Sequence, residues 1–288
     1  MSDQVDGDCG MILDAQAPKT RAVSPGMLAV DVDGTMLRAD GTLSDRVHRA
    51  LHAAVDAGVH VVPSTGRPEV VAAEIVEATG LNQYWVFGNG AVTRHLEHDR
   101  LVRGFWIDQA MVVQIMSELR ALLPSVVFAV EFASSLAYEA GFENVVPNKP
   151  TVPPVPDLFA TLATHQSPVQ KVLVSDPGLE LGRLFQHVEE LGGGRVVPTY
   201  SGLDFIEVAA QNVTKATALR LLADDLKLDV SEVWAVGDNH NDIEMLKWAG
   251  VGFAMGNADD QVKTAADAVL PSNDDDGVAV LIERLLDH

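Results

Sequence analysis

The sequence predicts an α/β protein in which a doubly wound parallel sheet carries a second, inserted α+β domain. Three observations lead there. Short apolar runs alternate with helix-length segments at both ends of the chain, which is the rhythm of βαβ units. That rhythm breaks after Asn89-Gly90, where short strand patterns follow one another with fewer helices between them. It resumes at Val213, so residues 27–90 and 210–288 are expected to form one core domain and residues 91–209 the insert.

Taken in order, residues 1–26 are acidic, poor in large apolar side chains and close on Ser24-Pro25-Gly26, the composition of a mobile tail. Met27-Leu28-Ala29-Val30 runs straight into Asp31 and reads as a buried parallel strand. Ser44 is placed to cap a helix that Gly58 stops; Val59–Val62 is a second strand. Pro68 suits a first helical turn, Gly80 ends that helix, and Tyr84–Phe87 is a third strand. In the insert, strands fit 92–96, 101–106, 126–131, 135–139, 169–174, 195–199 and 204–208, and helices fit 108–122, 156–164 and 178–191. The proline-rich stretch Pro147 to Pro156 must be loop. Helix 214–226, strand 232–236, helix 241–248, strand 251–254 and helices 259–266 and 277–286 complete the core.

Composition narrows the function classes. A chain of 288 residues suits two domains, and 47% hydrophobic with 21% charged residues is ordinary for a globular protein. Acidic residues outnumber basic ones 41 to 20, giving a net charge of −21 that repels nucleic-acid backbones and anionic lipid surfaces. Neither nucleic acid nor membrane is an expected partner; the chain is expected as a monomer or homodimer. The single cysteine, Cys9, leaves no intrachain disulfide to form. No apolar run approaches the ~18 residues that span a bilayer. Met11-Ile12-Leu13 is too short for a signal peptide, so the expected location is cytoplasmic.

Four segments can carry chemistry, each at a strand end or helix start. Asp31-Val32-Asp33-Gly34-Thr35 puts two carboxylates at the carboxyl end of a buried strand, where open α/β sheets bind ligands. Two buried like charges need compensation, and an oxygen-only ligand set suits Mg²⁺; read alone, Asp-Gly is also a common turn. Ser64-Thr65-Gly66-Arg67 can offer a hydroxyl and backbone N–H groups to a phosphate, though alone it reads better as a turn into a helix cap. Lys215 opens a helix, where a cation opposes the local dipole and hints at an anion in front of it; alone it reads as a surface lysine. Gly237-Asp238-Asn239-His240-Asn241-Asp242 crowds more acids than capping needs, and Asp238 could complete a metal site with Asp31 and Asp33.

In this order and placement the four segments resemble the motifs of the haloacid dehalogenase superfamily, and within it the Cof-type (subclass IIB) phosphatases. Asp31–Leu37 is similar to the first motif, Thr65–Pro68 to the second, Val213–Leu219 around Lys215 to the third and Gly237–Leu246 to the fourth. Asn89-Gly90-Ala91, Met255–Ala258 and Ser272–Val278 also resemble Cof-type signatures. The resemblance covers residue 27 to the end of the chain and implies a Rossmann-like core with an α/β cap inserted between the second and third motifs. It further implies a phosphatase of small phosphorylated metabolites, such as sugar phosphates or cofactor-like phosphates. Asp31 would be the nucleophile that forms an aspartyl-phosphate, and Asp33 the general acid and then base. Mg²⁺ would be held by the Asp31 carboxylate, the Asp33 backbone carbonyl and the Asp238 carboxylate. Thr65, Gly66, Lys215 and Asn241 would contact the phosphoryl group, and Asp242 would either support the metal site from behind or hold Lys215.

In the insert, Arg100, Arg103, His95 and Lys149 are possible anion contacts but read better as solvated surface. Trp106, Phe128 and Phe132 read as the insert's own core. Two other functions fit the same motifs: a phosphomutase, or a receiver-like phosphoacceptor that holds phosphate without turnover. Asp33, two residues beyond the nucleophile, argues against mere holding, because a phosphate holder has no use for it.

Overall fold

The computed structural model describes residues 25–133, 135–146, 152–200 and 203–287. Residues 1–24 of the expected tail, Cys9 among them, and Lys149 lie outside the described residues. In the first sheet lie strands β1 (Met27–Asp31), β2 (His60–Ser64), β3 (Tyr84–Phe87), β4 (Val92–His95) and β5 (Arg100–Gly104), with helices α1 (Asp45–Asp56) and α2 (Glu69–Thr79) between them. The insert contains α3 (Gln109–Leu122), β6 (Val127–Phe132), β7 (Leu136–Tyr138), α4 (Leu158–Thr164), β8 (Val169–Ser175), α5 (Leu181–Gly192), β9 (Val196–Tyr200) and β10 (Ile206–Ala210). The chain then returns through α6 (Lys215–Leu226), β11 (Val233–Gly237), α7 (Ile243–Trp248), β12 (Val251–Ala254), α8 (Asp260–Ala265), β13 (Ala268–Val269) and α9 (Gly277–Leu286).

The first sheet has the order β13-β12-β11-β1-β2-β3-β4-β5, parallel from β13 to β3. All five residues of β1 are buried, which is why that strand reads as an unbroken apolar run. Alternate side chains serve opposite faces. Leu28 and Val30 pack with Leu51 of α1 and Ile282 of α9, whereas Met27 and Ala29 pack with Leu219 of α6 and Leu246 of α7. The helix ends follow their local chemistry. The Ser44 hydroxyl accepts the Val47 N–H at 3.1 Å, and Gly80 closes α2 in the left-handed region.

One expected boundary moves. Residues 91–104 were assigned to the insert, but β4 pairs antiparallel with β3 and β5 with β4, so both strands extend the first sheet. Gly88, Asn89 and Gly90 all have positive φ, and this tight reversal folds the chain back beside β3 instead of carrying it away. Trp106 likewise packs against the first sheet's core, not the insert's. Phe128 and Phe132 are buried in the insert's core, as expected. β13 has two residues, too few to show a period in the sequence.

The insert is a five-stranded antiparallel sheet, β7-β6-β8-β10-β9. One face packs on α3 and α5 through Phe128, Val130, Val172, Val174, Ile206 and Val208. Part of the other face is covered by Phe142 and Phe205; the rest, with Lys171 and Glu207, walls a cleft against the first sheet. The insert thus stands over the core as a cap.

Candidate active site

β1 and β11 are parallel neighbours, but the chain leaves β1 toward β2 and leaves β11 toward β12. At such a switch point the loops beyond the strand ends diverge and open a crevice. Asp31 ends β1 and Asp238 follows β11, so both carboxylates stand at its mouth. The cleft there has a volume of about 840 Å³ and is walled by Asp31, Asp33, Gly66, Lys215 and Asn241 from the core. Thr65 and Asp242 are wholly buried behind this wall, whereas Asp238 is partly exposed.

Lys215 is the first residue of α6, whose start is fixed by Thr214: its hydroxyl accepts the Thr217 N–H at 3.1 Å. The lysine side chain is wholly buried and donates to Asp31 Oδ1 and, at 2.7 Å, to Asp242 Oδ1. The other Asp242 oxygen accepts the N–H groups of Asp238 and Asn239, both at 3.1 Å. Every oxygen of Asp242 is therefore spent on holding Lys215 and the loop. Burial would lower the Lys215 pKa, but Asp242 and Asp31 outweigh it and raise it, so the ammonium stays charged. The misplaced cation expected from the helix dipole does face anions.

Asp31 is 5% exposed, and its Oδ2 has no hydrogen-bond partner. Burial first, and then the Asp242 and Asp238 carboxylates, push the Asp31 carboxyl well above the ordinary range, against the pull of Lys215. Asp238 is also raised, chiefly by burial. The Thr35 hydroxyl donates to Asp238 Oδ1 at 2.9 Å, and the Asn257 amide donates to the Gly34 carbonyl at 2.8 Å. Gly34 has φ +82°, and a Cβ there would lie 2.4 Å from Asp238 Oδ2, so only glycine lets this turn close over the carboxylate.

Oxygens of Asp31, Asp238 and Asp242 lie within 4.8 Å of one another. Three carboxylates against one ammonium leave an excess of two negative charges. An all-oxygen donor set with that excess and a free buried Asp31 oxygen fits a hard divalent cation such as Mg²⁺. Because Asp242 is already engaged, Asp31 and Asp238 are the carboxylates with capacity left.

Asp33 points elsewhere. Its carboxylate forms a two-pronged ion pair with Arg67, Nε to Oδ2 at 3.0 Å, and both side chains are substantially exposed in the cleft. The sequence reading gave Arg67 no role, although it directly follows Thr65-Gly66 and the structure places it in the cleft wall against Asp33. The Thr65 hydroxyl is fully buried and accepts the Arg67 N–H at 3.0 Å, while the Thr65 carbonyl accepts the Asn89 N–H at 2.9 Å. The Asn241 amide donates to Asn89 Oδ1 at 2.9 Å, which ties the fourth motif to the turn after β3. Gly90, at φ +104°, lets the same turn press on α6: a Cβ would sit 2.2 Å from the Thr214 carbonyl. Arg100, Arg103 and His95 are absent from the described cleft wall, and Arg103 pairs with Asp225 at 3.1 Å. Among the described residues, no helix is long and apolar enough to cross a membrane.

Residues 28–282 match the family model of haloacid dehalogenase-like hydrolases. The chain is 30% identical over 259 residues to the 5-amino-6-(5-phospho-D-ribitylamino)uracil phosphatase YcsE of Bacillus subtilis, covering 90% of this chain and 94% of that protein. It is 29% identical over 289 residues to the phosphatase YwpJ of the same organism, covering 90% and 99%. A solved haloacid dehalogenase-like hydrolase from Bacteroides thetaiotaomicron superposes with a TM-score of 0.79 at 27% identity, over 91% of this chain and 99% of that one. A phosphatase of the superfamily from the same bacterium gives 0.78, also at 27% identity, over 94% and 98%.

The chain belongs to the haloacid dehalogenase-like hydrolases. It is thus a hydrolase by family, and the relatives YcsE and YwpJ are named phosphatases, in keeping with the motif resemblance.

Proposed function

We propose that the protein is a Mg²⁺-dependent phosphatase of small phosphorylated metabolites that works through an aspartyl-phosphate on Asp31. The observation that carries this reading is the Asp31 carboxylate itself: one oxygen pinned by Lys215, the other buried, unpartnered and at the cleft. The Asp31 and Asp238 carboxylates and the Asp33 backbone carbonyl would hold Mg²⁺, which when bound supplies the positive charge that lets an anionic nucleophile meet a phosphate dianion.

The chain's own residues supply the rest. Asp31 attacks phosphorus, forming a new P–O bond as the bond to the leaving alkoxide breaks. Asp33 gives that alkoxide a proton and later takes one from the water that attacks the aspartyl-phosphate, releasing inorganic phosphate and restoring Asp31. Asp33, paired with Arg67 as a carboxylate, must first part from it and take up a proton from solvent before it can serve as the acid; both side chains are exposed enough to turn, at 47% and 39%. Lys215 holds Asp31 in its attacking orientation, while the Gly66 N–H, the Asn241 amide and the freed Arg67 can receive phosphoryl oxygens. Thr65 supports this surface from below through its bond with the Arg67 amide.

The names of the relatives YcsE and YwpJ, both phosphatases, favour hydrolysis over transfer to a second substrate. The substrate of YcsE is one phosphorylated alcohol among the small metabolites this reading covers. The test is phosphate release from p-nitrophenyl phosphate and a panel of metabolite monophosphates. We expect chelation to stop turnover and Mg²⁺ to restore it, with Ca²⁺ a poor substitute because it takes more ligands at longer distances. Undiminished activity after thorough chelation would exclude the metal site.

A further inference from the structure

The open face of the cap sheet breaks an otherwise apolar pattern. Val172 and Val174 of β8 enter the core beneath the helices, so Lys171 between β6 and β10 emerges on the side toward the cleft. Lys171 is 3% exposed and donates to Glu207 Oε2 on β10 at 2.8 Å. Glu131 stands in register beside Lys171 on β6; it is 8% exposed, and its Oε2 has no hydrogen-bond partner. Among the described residues of the cleft wall, Lys171 and Glu207 are the only charged groups that the cap contributes. Charges buried in this way are commonly no more stabilising than apolar residues of the same size, and an unpaired carboxylate oxygen adds cost. Such a cluster is better explained by a ligand than by folding.

We infer that Lys171 and Glu207, positioned by Glu131, form the leaving-group subsite and select a neutral alcohol rich in hydroxyls, rejecting one that bears a second anionic group. This inference rests on the phosphatase reading above. Lys171 has N–H groups beyond the one given to Glu207, and the carboxylates are pure acceptors. Adjacent hydroxyls, each donor and acceptor at once, can satisfy both. Burial pushes the Glu131 carboxyl up, so the carboxylate that a second anionic group on the substrate would meet as a like charge in the cleft wall is Glu207. Like-charge contact is the repulsive element by which a site discriminates between substrates of similar size.

The test compares kcat/KM of the intact protein for glucose 6-phosphate, 6-phosphogluconate and p-nitrophenyl phosphate, in wild type, Glu207→Gln and Lys171→Met. Wild type should prefer glucose 6-phosphate to 6-phosphogluconate. In Glu207→Gln, the glucose 6-phosphate value should fall about tenfold more than that of p-nitrophenyl phosphate, whose leaving group offers no hydroxyls to the subsite. The same variant should narrow the preference over 6-phosphogluconate, because the repelling charge is gone. Lys171→Met should also lose sugar selectivity; Glu207→Gln, being isosteric, carries the test if Lys171→Met does not fold. Equal losses on all three substrates, no loss on any, or a wild-type preference for 6-phosphogluconate would overturn the inference alone. Absence of p-nitrophenyl phosphate turnover in wild type would overturn the phosphatase reading and this inference with it.

Discussion

The buried charges at Asp31, Lys215 and Asp242 make single substitutions informative. Asp31→Asn should abolish turnover, because an amide is a poor nucleophile, and in metal-free protein it should melt no lower than wild type. The sign follows from linkage. The Asp31 pKa is raised in the folded state, so the folded protein holds that proton more tightly than the unfolded chain. Its contribution to stability is full below the unfolded value of about 4 and is lost as pH rises toward the raised one. Melting curves of metal-free wild type and Asp31→Asn should therefore separate in favour of the variant as pH climbs from about 4; curves that stay parallel would deny the shift. Lys215→Met strips the cation from two buried carboxylates and should cost about 3–5 kcal/mol in urea denaturation. The motif segments were readable only together, from their order at strand ends and helix starts; taken alone, Thr65-Gly66 reads as a turn and Lys215 as a surface lysine. Arg67 gained no role even so, because its partner Asp33 is 34 residues away and nothing local signals the pairing. The burial of Thr65 was equally invisible: Thr65-Gly66 reads the same whether the hydroxyl faces a ligand or the interior.

Elements position these residues through tight turns, and the turn after β1 is the most exacting. Gly34→Ala would force a Cβ into Asp238 Oδ2 at a φ that alanine resists. The Mg²⁺ concentration giving half-maximal activity should rise about tenfold or more while circular dichroism stays native, the usual effect of disturbing what supports a metal ligand. An unchanged Mg²⁺ requirement would remove Asp238 from the metal site. Most elements were readable from the chain because strands such as β1 are unbroken apolar runs and helices carry caps such as Ser44 and Gly80. The assignment of β4 and β5 failed for a physical reason. A hairpin's pattern reports that one face is buried, not which sheet its edge joins, and that choice is made by the reversal at Gly88–Gly90.

At the scale of the whole molecule, the proposed function sets a chain of net charge −21 against anionic substrates. The long-range field opposes substrate approach, while Lys215 and Arg67 act only inside the cleft. At saturating Mg²⁺, kcat/KM for a phosphate monoester should rise as NaCl is added up to about 0.15 M, where the Debye length falls to about 8 Å. A fall would mean that the local positive charge governs encounter. The two-domain plan was legible because the α/β rhythm stops and restarts. The electrostatic meaning of the cap was not: Glu131, Lys171 and Glu207 lie on three strands that only the antiparallel register brings side by side.

The central claim is that Asp31 becomes covalently phosphorylated, and trapping the intermediate tests it most directly. Asp33→Asn keeps the backbone carbonyl but can neither donate nor accept the catalytic proton, a loss of about 10²–10⁴-fold per step. p-Nitrophenolate needs little acid help to leave, so the first step should survive better than the second. Rapid-quench mixing of this variant with p-nitrophenyl phosphate should give a burst of p-nitrophenol, and mass spectrometry should find one phosphoryl group on the Asp31 peptide. Wild-type turnover rates in Asp33→Asn, or a phosphoryl group on a residue other than Asp31, would contradict the account.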